Sequence, residues 1–211
     1  YKLVGFDASG LELRMLAHYM DDKEYTNEVI GGDIHTANQH LAGLESRDQA
    51  KTFIYALLYG AGDAKLGQVA GGGATAGRLL RERFMSNLPA YTALKTRIGQ
   101  EASQGWVSGL DGRRLWIRSE HAALNTLLQS AGAIVMKKGL TILHEYAKLW
   151  RIDYKIVGNI HDEIQSEVKA SQAEKFGRLA VSCLEAAGIH FNLNCKLAGE
   201  YKIGTSWAET H

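Results

Sequence analysis

Hydrophobic and polar positions alternate with helical spacing most clearly over residues 46–60, SRDQAKTFIYALLYG. Apolar side chains there recur three and four positions apart, Ser46 suits a helix start and Gly60 suits a helix end. The same spacing predicts further helices at 11–20, from Asp33 to 43, at 77–88, from 89 to about 104, at 120–150 and at 171–188. The glycine-dense stretch between 60 and 77 predicts turns around one short helix.

Strand patterns occupy the rest of the chain. Residues 1–10 form a short apolar run that reaches a carboxylate, and GWVSGLDGRRLWIR alternates around an Asp-Gly turn signal. DYKIVGNIHDEIQSEV predicts two strands with a tight turn at His161 and Asp162, and CKLAGEYKIG predicts a last strand. The order of elements predicts an α+β fold, with helices on one face of an antiparallel sheet and a helical insertion.

Composition narrows these possibilities only slightly. The 211 residues, 45% hydrophobic and 22% charged, are typical of a globular protein with one domain or two subdomains. A net charge of +1 means that any nucleic-acid surface must come from local clustering. No apolar run is long enough to span a membrane and no signal peptide is present, so we expect a cytoplasmic protein without membrane contact. Cys183 and Cys195 are expected to be buried thiols.

One face of the helix at 46–60 carries Arg47, Lys51, Tyr55 and Tyr59, spaced four residues apart. These residues fan across about 120° of the helix surface. The two cations lie near the positively polarised N-terminal end, where anionic oxygens are favoured, and the two rings can lie against a base or sugar. The pattern therefore suits a nucleoside triphosphate, although a solvated charged end followed by interface tyrosines would have the same spacing.

Two carboxylates stand at strand ends. Asp7 closes the first strand, and Asp162 lies at a hairpin tip beside Glu163. In one sheet, Asp7 and Asp162 would approach each other and repel unless one of them is protonated or a cation lies between them. Magnesium prefers oxygen ligands, and a pair of such ions can stabilise both oxygens of a phosphoryl transfer. Ordinary turn acids are the alternative for each residue taken alone.

Three segments resemble motifs A, B and C of family A (Pol I-type) DNA polymerases, and in particular the phage replicative branch: DASGLELRMLAH, RDQAKTFIYALLYGAG and IHDEIQ. DIHT, LDGRRLWIRSEHAALNTLLQSAGA and the final GTSWAETH extend the resemblance over essentially the whole chain. The resemblance implies a palm subdomain at 1–24 and 105–211 and an inserted helical fingers subdomain at 25–104.

The resemblance also implies roles for individual residues. Asp7, Asp162 and the backbone carbonyl of Ala8 correspond to ligands of two Mg²⁺ ions, with Glu163 as a supporting acid in the catalytic group. Lys51 corresponds to the residue that offsets triphosphate charge or protonates the leaving pyrophosphate. The remaining positions implied to bind the dNTP are Glu12, as the steric gate against a ribose 2′-hydroxyl, held by Tyr59, together with His35, Arg47 and Tyr55.

Four further positions correspond to DNA contacts. Asn125 and Gln129 match residues that read minor-groove acceptors common to all base pairs, and His121 and His161 match residues near the DNA and the primer end.

Tyr55, in place of Phe, implies tolerance of dideoxynucleotides. Arg113, Arg114 and Arg118 suit the duplex backbone, although a solvated hairpin face would look the same.

The implied function is template-directed DNA synthesis from dNTPs on primer-template DNA. Because the resemblance covers only the C-terminal part of such polymerases, without thumb or exonuclease, and the chain starts at Tyr1, we expect an excised piece or a split enzyme that needs an N-terminal polymerase chain. A single-subunit phage-type RNA polymerase, a metal nuclease and a non-catalytic DNA-binding or assembly subunit are the alternatives.

Overall fold

A computed structural model describes all 211 residues, which form ten α-helices and six β-strands. The strands are β1 (Lys2–Ala8), β2 (Trp106–Ser108), β3 (Arg114–Trp116), β4 (Tyr154–Ile160), β5 (Glu163–Val168) and β6 (Gly199–Gly204). The helices are α1 (Leu11–Met20), α2 (Lys23–Gly31), α3 (Ile34–Ala42), α4 (Arg47–Leu58), α5 (Asp63–Val69), α6 (Ala74–Asn87), α7 (Pro89–Ala102), α8 (Ala123–Leu149), α9 (Ala173–His190) and α10 (Trp207–Thr210).

The chain divides into two compact units. The first comprises 1–15 and 130–211 and contains a four-stranded sheet in the order β4-β5-β1-β6. The second comprises 16–129 and contains α2 to α7 and the β2–β3 hairpin. Every strand pair is antiparallel, as the sequence predicts. The boundaries of the predicted palm and fingers at 24 and 104 differ from the unit boundaries, and that subdomain assignment stays a prediction.

Helices pack on both faces of the four-stranded sheet. On one face the α9 ring of Phe176 lies edge-on to Phe6 of β1, with ring centroids 6.3 Å apart, and against Tyr154 of β4 at 4.9 Å. On the opposite face Thr210 of α10 donates a hydrogen bond to Gln165 of β5. The prediction of helices on one face was therefore incomplete, because a four-residue helix is too short to show helical periodicity.

Local capping explains why the predicted helices begin where they do. Ser46 accepts a hydrogen bond from the backbone N–H of Gln49, whose side chain accepts from Ser46 in return, which makes a capping box for α4. Asp33 accepts from the backbone N–H groups of His35 and Thr36 at the start of α3. These two predicted starts are confirmed.

The end of α4 needs a glycine. The helix stops at Leu58, Tyr59 is its C-cap, and Gly60 has a φ of +76°. A Cβ at position 60 would lie 2.7 Å from the carbonyl oxygen of His121. Both the backbone conformation and the close approach exclude a larger residue.

Besides α10, which was not predicted, three elements differ from the sequence predictions. Helix α2 was not predicted, although Asp22 caps it. The predicted helix at 120–150 begins with a 3₁₀ turn, Glu120–Ala122, before α8. Strand β6 starts at Gly199 and not at 195, because its partner β1 ends opposite Gly199 at Ala8 and leaves the preceding residues without a strand to pair with.

Buried thiols and a cluster of aromatic rings belong to the core. Cys183 and Cys195 are free and buried, as predicted, and burial raises the pKa of Cys183 to about 11. In the second unit Phe84 lies edge-on to Phe53 and Tyr91, at 5.6 Å and 5.4 Å. No helix combines the length and the apolarity that crossing a membrane requires.

The aromatic contact under the sheet yields a stability prediction. Phe176→Ala should lower the free energy of unfolding by about 3–5 kcal/mol, because it leaves a cavity beneath Phe6 and Tyr154. Ile189→Ala, at an exposed position on the same helix, is the control and should change it by less than about 0.5 kcal/mol. Urea denaturation measures both, and equal losses would contradict this account of the core.

Candidate functional site

A row of carboxylates crosses one face of the sheet. Asp7 of β1 is paired with Glu163 of β5 on one side and with Glu200 of β6 on the other. Directly paired residues of antiparallel strands share a face, so these three acids lie side by side. Lys202, paired with Gly5, acts to lower the pKa of Asp7, but its effect is smaller than that of burial and the neighbouring acids.

The hairpin tip brings Asp162 to the end of β1. His161 occupies the first turn position with a φ of 55°, a conformation that is strained for a residue other than glycine. The backbone N–H of Ala8 donates a hydrogen bond of 3.1 Å to the carbonyl oxygen of Asp162. This bond fixes the hairpin tip beside β1, so the structure brings Asp7, Ala8 and Asp162 together.

Electrostatics in this group oppose ionisation. The pKa of Asp7 is raised by desolvation and then by Glu200, Asp162 and Glu163. The pKa of Asp162 is likewise raised, first by desolvation and then by acids that include Glu12. Neighbouring carboxylates with raised pKa values gain stability when a cation is bound between them.

The donors present suit a hard cation. Carboxylate oxygens of Asp7 and Asp162 and the carbonyl oxygen of Ala8 are the ligand type that Mg²⁺ prefers. No group of three or more His, Cys, Asp or Glu side chains is arranged to hold a metal ion. A magnesium ion here would therefore complete its shell with water or substrate oxygens, as this ion commonly does.

Glu163 differs from the other acids because hydrogen-bond donors surround it. Its Oε1 accepts from Gln165 Nε2 at 2.6 Å and from Trp207 Nε1 at 2.8 Å, and its Oε2 lies 2.6 Å from Nδ1 of His211. Burial acts to raise the pKa of Glu163, but these contacts outweigh it and the net pKa is lowered. These three donors were not predicted to have a role, although the segments HDEIQ and GTSWAETH contain them.

In the second unit a carboxylate orients Arg47. Asp33, the cap of α3, accepts from the Arg47 Nε at 2.8 Å and from the Thr36 hydroxyl at 2.8 Å. The Arg47 hydrogen bond is the largest cause that holds the pKa of Asp33 well below its usual range. The sequence identified Asp33 only as a helix cap, and its second contact needs the tertiary structure.

The predicted stripe on α4 is assembled with His35. The ring of Tyr55 lies 6.3 Å from that of His35 and 6.4 Å from that of Tyr59, and Lys51 is exposed. The pKa of His35 is lowered by burial and then by the charges of Arg47 and Lys51. His35 therefore lies near two cations, with the opposing charge of Asp33 beside Arg47 and the ring of Tyr55 next to its own.

The predicted DNA-contact residues of the second unit lie in the 3₁₀ turn that precedes α8 and in the first two turns of α8. His121 and Gln129 are exposed and Asn125 is partly exposed. His121 also lines a cavity of about 550 Å³ together with Lys95 and the ion pair of Arg81 with Asp63. These three cavity residues were not identified from the sequence, because α5, α6 and α7 supply them separately.

The arginines of the β2–β3 hairpin have partners within the chain. Arg113 forms an ion pair with Asp111, with 2.6 Å between Nη2 and Oδ2, and Arg114 lies over the ring of Trp106 at 4.8 Å. A contact with the duplex backbone stays a prediction.

Comparison with known proteins decides the family. The model of DNA polymerase family A matches residues 1–209. The chain belongs to DNA polymerase family A. The DNA-directed DNA polymerases of Enterobacteria phage T3 and Escherichia phage T7 are each 44% identical to this family A chain over 98% of its length.

These relatives are much longer than the chain, which spans about a third of each phage polymerase, 33%. DNA polymerase I of Pseudomonas aeruginosa is less similar, at 25% identity over 100% of this chain and 25% of its own length. The fold resembles the POL domain of Pol1 from M. smegmatis, solved with DNA primer-template and dNTP, with a TM-score of 0.88, 22% identity, and coverage of 100% of this chain and 40% of the other.

The Asp33–Arg47 pair yields a titration prediction. Because the pKa of Asp33 is lowered, the stabilisation from this pair is present at neutral pH and is lost as the pH falls through the folded-state pKa. Arg47→Ala should raise the pKa of Asp33 toward its usual value in a ¹³C NMR titration. Arg97→Ala, which removes the partner of Glu101, should leave the pKa of Asp33 unchanged. An Asp33 that titrates normally in the unmodified chain would refute the contact.

Proposed function

We propose that this chain carries the nucleotidyl-transfer residues for template-directed DNA synthesis, within an enzyme that extends a primer with dNTPs. The observation that carries the proposal is the juxtaposition of Asp7 and Asp162 through the Ala8–Asp162 backbone hydrogen bond, in a chain of this polymerase family. In the reaction the primer 3′-oxygen forms a bond to the α-phosphorus, and the bond from that phosphorus to the bridging oxygen of pyrophosphate breaks.

Asp7, Asp162 and the Ala8 carbonyl are proposed to hold two Mg²⁺ ions. When bound, the ions would supply charge neutralisation at the phosphate oxygens and lower the pKa of the primer hydroxyl. The raised pKa values of both aspartates support this assignment, since the acids are arranged against their own repulsion. Glu163 is proposed to be a supporting acid and not a ligand.

Arg47, Lys51 and His35 are proposed to bind the triphosphate. Arg47 and Lys51 lie at the N-terminal half of α4, where the helix dipole also favours anions. Asp33 fixes the Arg47 side chain before substrate binds, which reduces the entropy lost on binding. Lys51 is proposed to offset charge on the triphosphate or to donate a proton to the leaving pyrophosphate.

Three further residues are proposed to contact the sugar and the base of the dNTP. Tyr55 and Tyr59 are proposed to contact the nucleoside of the dNTP, and Glu12 to exclude a ribose 2′-hydroxyl by leaving it neither space nor a partner. Glu12 affects the pKa of Asp162, which supports a place for it near the reacting phosphate. The proposed DNA contacts are His121, Asn125, Gln129 and His161.

Synthesis is further proposed to depend on a polypeptide that corresponds to the remaining two thirds of the phage relatives, with a thumb and an exonuclease domain. Duplex binding rests on many phosphate contacts, and this chain has a net charge of only +1 to provide them. Incorporation of ribonucleotides would instead favour an RNA polymerase, and cleavage of DNA would favour a nuclease. DNA binding without either reaction would favour a binding or assembly subunit.

Primer extension tests the proposal. Asp7→Asn and Asp162→Asn should each lower the extension rate by about 10²–10³-fold, because each removes charge stabilisation at the reacting phosphate. Glu167→Gln, an exposed acid on β5, is the matched control and should keep at least about half of the rate.

The assay is run on the chain alone and on a chimera in which it replaces the matching third of the phage T7 relative. Extension that needs both aspartates in either form supports the proposal, and extension only in the chimera supports dependence on the missing segments. A folded chimera that binds primed DNA and extends nothing would overturn the proposal.

Tyr55 generates a specificity prediction. If its hydroxyl compensates for the missing 3′-hydroxyl of a dideoxynucleotide, Tyr55→Phe should lower dideoxynucleotide incorporation relative to dNTP by about 10- to 100-fold, the value of one hydrogen bond to a charged group. Tyr19→Phe, a half-buried tyrosine of α1, is the control. Single-nucleotide kinetics measure both, and strong rejection of dideoxynucleotides by the unmodified chain would contradict the tolerance expected of Tyr55.

A further inference from the structure

Helix α10 contacts the face of the sheet that carries the acids. A Cβ at Gly5, in the middle of β1, would lie 2.5 Å from the carbonyl oxygen of Thr210, so α10 packs directly on the strand that ends in Asp7. Trp207 lines a small notch of about 150 Å³ on this face, together with Leu3, Val157 and Ile160. The indole ring of Trp207, which is 51% exposed, forms one wall of this notch, and its N–H donates a hydrogen bond of 2.8 Å to Oε1 of Glu163.

The remaining contacts of the last residues form a connected network. Thr210 Oγ1 donates to Gln165 Oε1 at 2.8 Å, which leaves the Gln165 amide group to donate to Glu163. Lys202 Nζ donates to the carbonyl oxygen of His211 at 2.7 Å, which anchors the residue that contacts the other oxygen of Glu163. Gln165 is buried, so its orientation is set by Thr210 and Glu163.

Both oxygens of Glu163 are therefore engaged by donors from α10, His211 and β5. We infer that Trp207 is a positioning residue that holds the Glu163 carboxylate as a fixed charge beside Asp7 and Asp162, and so keeps it from becoming a third carboxylate ligand of the bound ions. The inference rests on the proposed function, because it concerns the same metal ligands.

The physical reason is ligand number. A pair of Mg²⁺ ions needs open positions for the primer oxygen and the phosphate oxygens, and an additional carboxylate ligand would compete for them. A charge held nearby still favours cation binding without occupying a coordination position. Outer contacts of this kind typically change metal affinity or activity by about 10- to 100-fold when removed.

Trp207→Phe removes the indole N–H and keeps an aromatic ring at the wall of the notch. With one donor lost, Glu163 can turn toward the ion, so Mn²⁺, used as the probe and followed by electron paramagnetic resonance, should bind about three- to tenfold more tightly. The extension rate of the variant chimera should fall about tenfold, with the KM for dNTP changed less than about twofold. Trp150→Phe, in the same unit with its ring under Lys175, is the matched control and should alter neither.

A double-mutant cycle separates positioning from a loss of structure. Glu163→Gln should weaken Mn²⁺ binding, and adding Trp207→Phe to it should have no further effect, because the group that Trp207 positions is already neutral. The indole N–H resonance assigned to Trp207 should move on Glu163→Gln while those of the other three tryptophans stay, which reports the contact independently of activity.

Asp7→Asn identifies the ion that is being measured. Two results would overturn the inference and leave the proposed metal site standing, provided that Mn²⁺ binding depends on Asp7. One is that Trp207→Phe leaves Mn²⁺ binding unchanged, and the other is that Glu163→Gln and Trp207→Phe act additively. If Mn²⁺ binding survives Asp7→Asn, the proposed metal site and the inference are both overturned.

Discussion

The position of β1 between β5 and β6 is the constraint on which the acidic site depends. Pairing on both sides fixes the register that sets Asp7 between Glu163 and Glu200. The Ala8–Asp162 backbone hydrogen bond then ties the hairpin tip to the end of the same strand. A shift of one residue in this register would send Asp7 to the opposite face, against the aromatic core that Phe6 and Phe176 form. Site and core are thus specified by the same pairing.

This pairing brings carboxylates close together, and their mutual repulsion is reduced in two ways. Desolvation and mutual repulsion raise the pKa values of Asp7 and Asp162, which favours a bound cation. The pKa of Glu163 is lowered instead, because hydrogen-bond donors on both of its oxygens stabilise the carboxylate charge. The neighbouring carboxyl groups of residues 162 and 163 consequently differ in their electrostatics, since the pKa of Asp162 is raised and that of Glu163 is lowered. The net charge of +1 does not show this local contrast, and it does not show the two cations near His35 in the second unit.

Side chains outside the three motifs hold charged residues of the motifs in place. Asp33 orients Arg47, and Trp207 with Gln165 orients Glu163, so each unit has a group that fixes the conformation of a charged side chain before any substrate is present. Such preorganisation matters in phosphoryl transfer, where the protein contributes mainly positioning and charge stabilisation. The chain belongs to DNA polymerase family A, and these contacts involve side chains outside its three motifs, Asp33 and Trp207.

The sequence by itself determined the elements whose signals are local. The Ser46 and Asp33 caps, the hairpin turns and the apolar spacing of α4, α8 and α9 fixed most helices and the antiparallel strands, and three ordered motifs indicated the family. Only the tertiary structure decided what depends on distant residues: that Asp33 also binds Arg47, that β6 begins where β1 ends, and that a four-residue helix contacts the second face of the sheet. The reason is physical, because a cap or a turn is satisfied within a few residues, whereas the contact of Trp207 with Glu163 joins positions 44 residues apart and leaves no periodic trace in the chain.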